Sequence, residues 1–188
     1  GIVVVIIAII GYNQLVSIPN ELESQDAYWN AFYDFQNEDT TDAVLIGTDT
    51  YMGMEDVASQ YAGTSGGMIA SYVCGITAME KEDFEGALVY FDECDFEDVM
   101  VGSLVIGLKG DCNVELGNYD EAASLFEEAA AREENEFTTP MFLKKAGIVY
   151  EELGQNEKAA ELYQRIYDEF PLTKEGTDIQ KYLVRAQN

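Results

Sequence analysis

Among residues able to do chemistry, the three cysteines, Cys74, Cys94 and Cys112, come first, because the 188-residue chain has no histidine. That absence removes the commonest general base and metal ligand, and with it Ser-His-Asp and Cys-His catalysis. The cysteines form no Cys-x-x-Cys, so neither a redox motif nor a zinc knuckle is present, and an odd count is not a disulfide framework. Cys74 and Cys94 have two readings: buried small hydrophobes, as free cysteines usually are, or a disulfide in an oxidising compartment. The run Asp92-Glu93-Cys94-Asp95-Phe96-Glu97-Asp98 reads as a solvated helix end, because a calcium loop needs a fixed ligand order and a glycine bend. Asp111-Cys112-Asn113-Val114-Glu115 has its glycine, Gly117, at the seventh place instead of the sixth and falls inside an expected helix. No carboxylate pair is singled out by a glycine-rich loop or nucleophile elbow. The chain is therefore expected to be no enzyme and to hold neither metal nor cofactor.

Charge narrows the partners. With 36 Asp and Glu against 10 Lys and Arg, the net charge is −26. Such a surface repels phosphate, so nucleic acid is not an expected partner. Residues 2–10, Ile-Val-Val-Val-Ile-Ile-Ala-Ile-Ile, carry no charge, and Tyr12 follows as an interfacial aromatic would. Nine residues alone fall short of the roughly 20 needed to span a bilayer. They read as a packed hydrophobic element or as the tail of an anchor cut at Gly1, with residues 1–19 as anchor tail and linker. A signal-peptide core is a further alternative, without a small-x-small cleavage site behind it. Residues 1–80 hold eleven carboxylates and no cation before Lys81. A cytoplasmic flank usually carries Lys and Arg, so the favoured arrangement puts the amino end in the cytoplasm and the rest outside it.

Internal periodicity supplies the elements that would position any site. Glu82-Asp83-Phe84-Glu85-Gly86-Ala87, Gly117-Asn118-Tyr119-Asp120-Glu121-Ala122 and Gly154-Gln155-Asn156-Glu157-Lys158-Ala159 align. Each alanine is followed four residues on by an aromatic (Phe91, Phe126, Tyr163) and preceded twelve residues back by a glycine (Gly75, Gly110, Gly147). Glycine and alanine are read as small because two helices, A and B, cross there. Gly117 and Gly154 fall at the turn, where a helix end favours positive φ. Pro171 would stop the last B helix. Around these repeats, Glu21–Phe35 is expected to be a helix whose apolar face comprises Ala27, Trp29, Ala31, Phe32 and Phe35. Asp42–Ile46 reads as a helical turn and Glu55–Tyr61 as a helix, with stretched loops at Asn37–Thr41 and Gly47–Gly53. Thr177 is expected to cap a final helix, Asp178–Ala186.

At these residues the chain resembles the tetratricopeptide repeat family. The departures are Asn156 where an aromatic is usual, Cys94 and Ile166 in place of a late alanine kept at Ala129, and Glu134 where proline is common. The resemblance implies an all-α, right-handed solenoid: a degenerate repeat over 20–67, repeats at 68–101, 103–136 and 140–173, and a capping helix over 174–188. The order of parts resembles the membrane-anchored bacterial tetratricopeptide proteins that include an accessory subunit of the Sec translocon. That likeness implies an inner-membrane protein facing the periplasm. The expected role is a scaffold that binds a protein or peptide segment in a concave groove lined by A helices. Its residues would be Ile69, Tyr72, Ile76, Met79, Leu104, Asp111, Val114, Met141, Lys144, Ile148 and Glu151, and the surrounding negative charge would favour a basic or amphipathic segment. The alternative is a self-associating module whose groove is filled by its own amino-terminal segment or by a second copy.

Overall fold

The computed structural model describes residues 2–36 and 42–188. The expected loop at Asn37–Thr41 lies outside them. Helices account for every regular element among the described residues: α1 (Ile2–Tyr12), α2 (Ile18–Gln36), α3 (Asp42–Ile46), α4 (Met54–Gln60), α5 (Ser65–Glu80), α6 (Phe84–Asp92), α7 (Val99–Glu115), α8 (Tyr119–Ala131), α9 (Thr138–Glu152), α10 (Asn156–Glu169) and α11 (Lys174–Ala186). The protein is all-α, with a lone antiparallel bridge between Gly47 and Met52. It divides into two compact units: Gly1–Lys81 with Asp92–Asp95, and Glu82–Phe91 with Phe96–Asn188.

In the first unit, α1 runs without a break through a π-helical turn, Asn13–Ser17, into α2. Pro19 explains the turn: it lacks an N–H, and its ring collides with the carbonyl four residues back, so the helix widens instead of breaking. The sequence therefore puts no linker before α2. The lower half of α2 packs on α5, and α4 joins them. A methyl group at Gly66 would fall 2.4 Å from the Ser24 carbonyl oxygen, so this crossing requires a glycine. The Glu21 carboxylate accepts from the Ser65 N–H at 3.1 Å, and Thr64 Oγ1 accepts from the Gly67 N–H at 3.1 Å, so both serve the start of α5. Trp29 departs from expectation. Residues 24, 27, 28 and 31 are buried or half-buried, whereas Trp29, 59% exposed, points the opposite way. Its spacing from Ala31 and Ala27, two residues each way, puts it about 200° from them at 100° per residue.

In the second unit, α7, α8, α9, α10 and α11 pack each against the next, and α9 also meets α7 and α11. The hairpin turns repeat one another. Gly117 and Gly154 have φ of 76° and 69°. The Asn118 N–H donates to the Asn113 carbonyl and the Gln155 N–H to the Tyr150 carbonyl, both at 2.8 Å, while Gly117 and Gly154 donate to Val114 and Glu151. This is the Schellman closure, in which a left-handed residue lets the chain satisfy the helix's last carbonyls. Glu82 adopts the same hand, with φ 61°, at the matching place before α6.

The core of this unit holds Phe126, Phe142, Tyr163, Ile166 and Ile179 among close-packed alanines. The repeat glycines are small for a more specific reason than a helix crossing at alanine. A methyl at Gly110 would meet the Phe126 ring at 2.6 Å, and one at Gly147 the Tyr163 ring at 2.4 Å. The aromatics four residues after Ala122 and Ala159 lie across the glycines of their A helices, and both alanines are buried. Two caps complete the frame. Asp98, the last residue of the acidic run, accepts from the Met100 and Val101 N–H groups and starts α7. Thr173, not Thr177, caps the final helix, accepting from the Gly176 N–H at 3.1 Å, so α11 begins at Lys174, four residues earlier than expected.

Candidate functional site

The A helices place the expected groove residues in both units. In the first, Ile69, Tyr72, Ile76 and Met79 form one half-buried stripe along α5, at spacings of three and four that keep them on a single face. Burial, with the Cys94 thiol nearby, raises the Tyr72 phenol. Among the described residues, the main packing of α1 is on the π-helical turn that continues it.

In the second unit, Leu104, Asp111 and Val114 on α7, and Met141, Lys144 and Glu151 on α9, are half-buried, and Ile148 is 38% exposed. Leu104, Val114 and Met141 rest on the core cluster behind them. Both groove carboxylates are tied down. Lys145 Nζ donates to both Asp111 oxygens at 2.7 Å, joining α9 to α7. Arg185 Nε donates to Glu151 Oε1 at 2.8 Å, and the buried Tyr163 donates its hydroxyl to Glu151 Oε2 at 2.8 Å. The Arg185 bonds hold the Glu151 carboxyl below the usual carboxylate range, while burial and that carboxylate push the Tyr163 phenol up. Lys144 has no carboxylate partner among the described residues; its Nζ lies 4.7 Å over the Tyr182 ring. A cleft of about 500 Å³ opens here, lined by Ile148, Glu151, Glu152, Asn156, Tyr182 and Arg185.

Sequence reasoning did not include Lys145, Tyr182 or Arg185 in this face. It took the last helix only as a cap, but α11 buries Ile179, Leu183 and Ala186 and turns Tyr182 and Arg185 toward α9. The spacing of Ile179, Leu183 and Ala186 was the available signal, since a four-three step makes an apolar stripe. A larger cleft of about 710 Å³ was also missed. It lies at the starts of α7, α9 and α11 and is lined by Met100, Phe137, Met141 and Leu172 among others.

The cysteines offer no reactive centre. All three are buried and free; Cys74 and Cys94 are not bridged. The Cys94 thiol donates to the Met68 carbonyl at 3.5 Å. Burial pushes the Cys74 thiol up to about 12 and the Cys112 thiol up to about 11, which suppresses the nucleophilic thiolate.

Residues 108–172 match the tetratricopeptide repeat family model, a stretch running from the second half of α7 through α10. A crystal structure of nearly identical TPR-like repeats from Podosopora anserina, described as a kinesin light chain, is similar in fold. It has a TM-score of 0.62 and 14% identity over 88% of this chain and 85% of that one. No curated protein sequence matches. The match over residues 108–172 supports a protein-interaction scaffold.

Proposed function

We propose that the chain is a non-enzymatic scaffold that holds an amphipathic protein segment against the α7–α9–α11 face of its second unit. The observation that carries this reading is the set Leu104, Val114 and Met141, half-buried apolar side chains on α7 and α9 backed by a packed core, together with the exposed Ile148 on α9. Contiguous apolar surface on a rigid frame is the ordinary mark of a docking face. With Asp111 and Glu151 already paired, the face itself is less acidic than the net charge implies, and Lys144 is placed to meet a polar atom of the occupant. Ile69, Tyr72, Ile76 and Met79 make a second stretch of the same kind on α5. Replacing Leu104 and Ile148 together with Asp should abolish partner capture from a membrane extract and leave the helical circular dichroism unchanged. Undiminished capture of the same proteins by the double variant rejects this face as the binding surface.

The same reading places the scaffold at a membrane, with α1 as part of a tether, the repeats outside the cytoplasm, and a role like that of the translocon-associated tetratricopeptide proteins. It is supported by the helical stretch that begins at Val4, which contains an 18-residue apolar window, unburied in the structure and long enough to cross a bilayer, and by the lack of Lys and Arg before Lys81. Protease added outside the inner membrane should degrade residues 82–188 in spheroplasts; protection there reverses the orientation.

A further inference from the structure

Helix α2 is apolar on two opposite sides. One side is filled: Ser24 and Ala31 are fully buried, and the helix packs on α5. The other side carries Ile18, Leu22, Trp29 and Tyr33, which are 42%, 59%, 59% and 60% exposed. At 100° per residue these four positions fall within an arc of about 60°, so they make one stripe rather than scattered exposures. Leu15, 79% exposed, continues the stripe into the π-helical turn. Burying such a stripe is the usual fate of an amphipathic helix face, and among the described residues no element of this unit covers Ile18, Leu22 or Trp29.

Asp26 supplies the second observation. It is exposed, flanks the stripe about 20° beyond the edge that Tyr33 marks, and makes no ion pair among the described residues. Glu23 stands beside it on the outer surface. We propose that this stripe docks one amphipathic helix of a partner protein that presents an apolar seam to Leu22, Trp29 and Tyr33 and a Lys or Arg to Asp26. Charge selects this occupant over the others. Two copies pairing through the stripe would each bring Asp26 to the edge of the seam, and residues 1–80 contain no Lys or Arg to offset it. A bilayer surface with anionic headgroups would meet the same carboxylates. This surface belongs to the first unit and does not depend on the groove proposed for the second.

Trp29 is the only tryptophan in the chain and sits in the middle of the stripe, so its emission reports on whatever covers it. The test uses the full chain in phosphatidylcholine nanodiscs. Two synthetic helical peptides are titrated, both with a leucine face, one flanked by lysines and one by glutamates. The expected result is a saturable blue shift of Trp29 with the lysine peptide alone. Asp26→Lys should weaken it roughly tenfold or more, since like charges at a seam are strongly disfavoured. Leu22→Asp should abolish it with helicity unchanged. A shift that is indifferent to Asp26→Lys, or equal for both peptides, overturns the proposal. So does quenching of Trp29 by brominated lipid without peptide, which would make the bilayer the cover. A dimer by sedimentation in which Trp29 is already blue-shifted, and which Leu22→Asp dissolves, would assign the stripe to a second copy.

Discussion

At Gly147 a single missing methyl group holds three functions in register. The Tyr163 ring lies across the glycine, its hydroxyl reaches Glu151 on the groove face, and Glu151 in turn anchors Arg185 of α11. Gly147→Ala would put a carbon 2.4 Å from the ring. Overpacking of this kind costs about 1–3 kcal/mol. Chemical denaturation followed by circular dichroism should show a lowered midpoint, and an unchanged one would mean the ring is not seated there. Glu151 itself gives a pH signature. Its folded pKa lies below the usual 4.5, chiefly because Arg185 donates to it. Its contribution is therefore fully present above about pH 4.5 and is lost as pH falls through the depressed value. Glu151→Gln should thus be less stable than the parent at pH 7, with the gap closing in acid. A gap that persists at pH 2 would assign the loss to packing. Cysteine chemistry follows from burial: with Cys74 pushed up to about 12 and Cys112 up to about 11, neither should react with a thiol reagent at neutral pH until the chain is unfolded. Rapid labelling of the native protein at either position contradicts their placement.

Among the elements, the two start signals of the last helix can be set against each other. Thr173 accepts from the Gly176 N–H, while Thr177 lies inside α11 and donates to the Lys174 carbonyl. Removing an N-cap hydroxyl costs about 0.5–2 kcal/mol, whereas losing an exposed mid-helix hydroxyl costs little. Thr173→Ala should therefore lower the melting temperature and Thr177→Ala should leave it nearly unchanged. The choice between these threonines also shows what the sequence makes readable. The B helices and hairpin turns were legible because each depends on local, repeated chemistry: Gly117 and Gly154 with positive φ, then an alanine and an aromatic four apart. Trp29 was assigned to the wrong side of α2 because both sides of that helix are apolar, and composition alone cannot say which one the core takes. The Asp111–Lys145 and Glu151–Arg185 pairs each join residues 34 apart in sequence. They are set by how neighbouring A helices align, which no local pattern encodes, so the candidate face looked more acidic in sequence than it is.

For the molecule as a whole, the dominant asymmetry is between an uncharged apolar end and a strongly acidic remainder. Ile2, Val4, Val5, Ile6, Ile7, Ile9 and Ile10 are each at least half exposed on α1, a density of bare β-branched surface that water does not tolerate on a soluble domain. Residues 19–188, by contrast, carry every charged side chain of the chain, and their net charge of −26 keeps them dispersed. Each fully buried side chain of this size is worth about 1.5–3 kcal/mol when removed from water. Seven of them should therefore dominate partitioning even against so large a charge. In detergent phase separation the chain with α1 should enter the detergent phase, and a variant lacking residues 1–18 should stay in the aqueous phase. The helical signal per residue of the remaining domain should be preserved, because the described side chains of α1 are exposed and add little to the first unit's core. If the two chains partition alike in water, α1 finds cover within the protein and the tether is rejected. If the shortened chain loses its helical signal, α1 is part of the folded core.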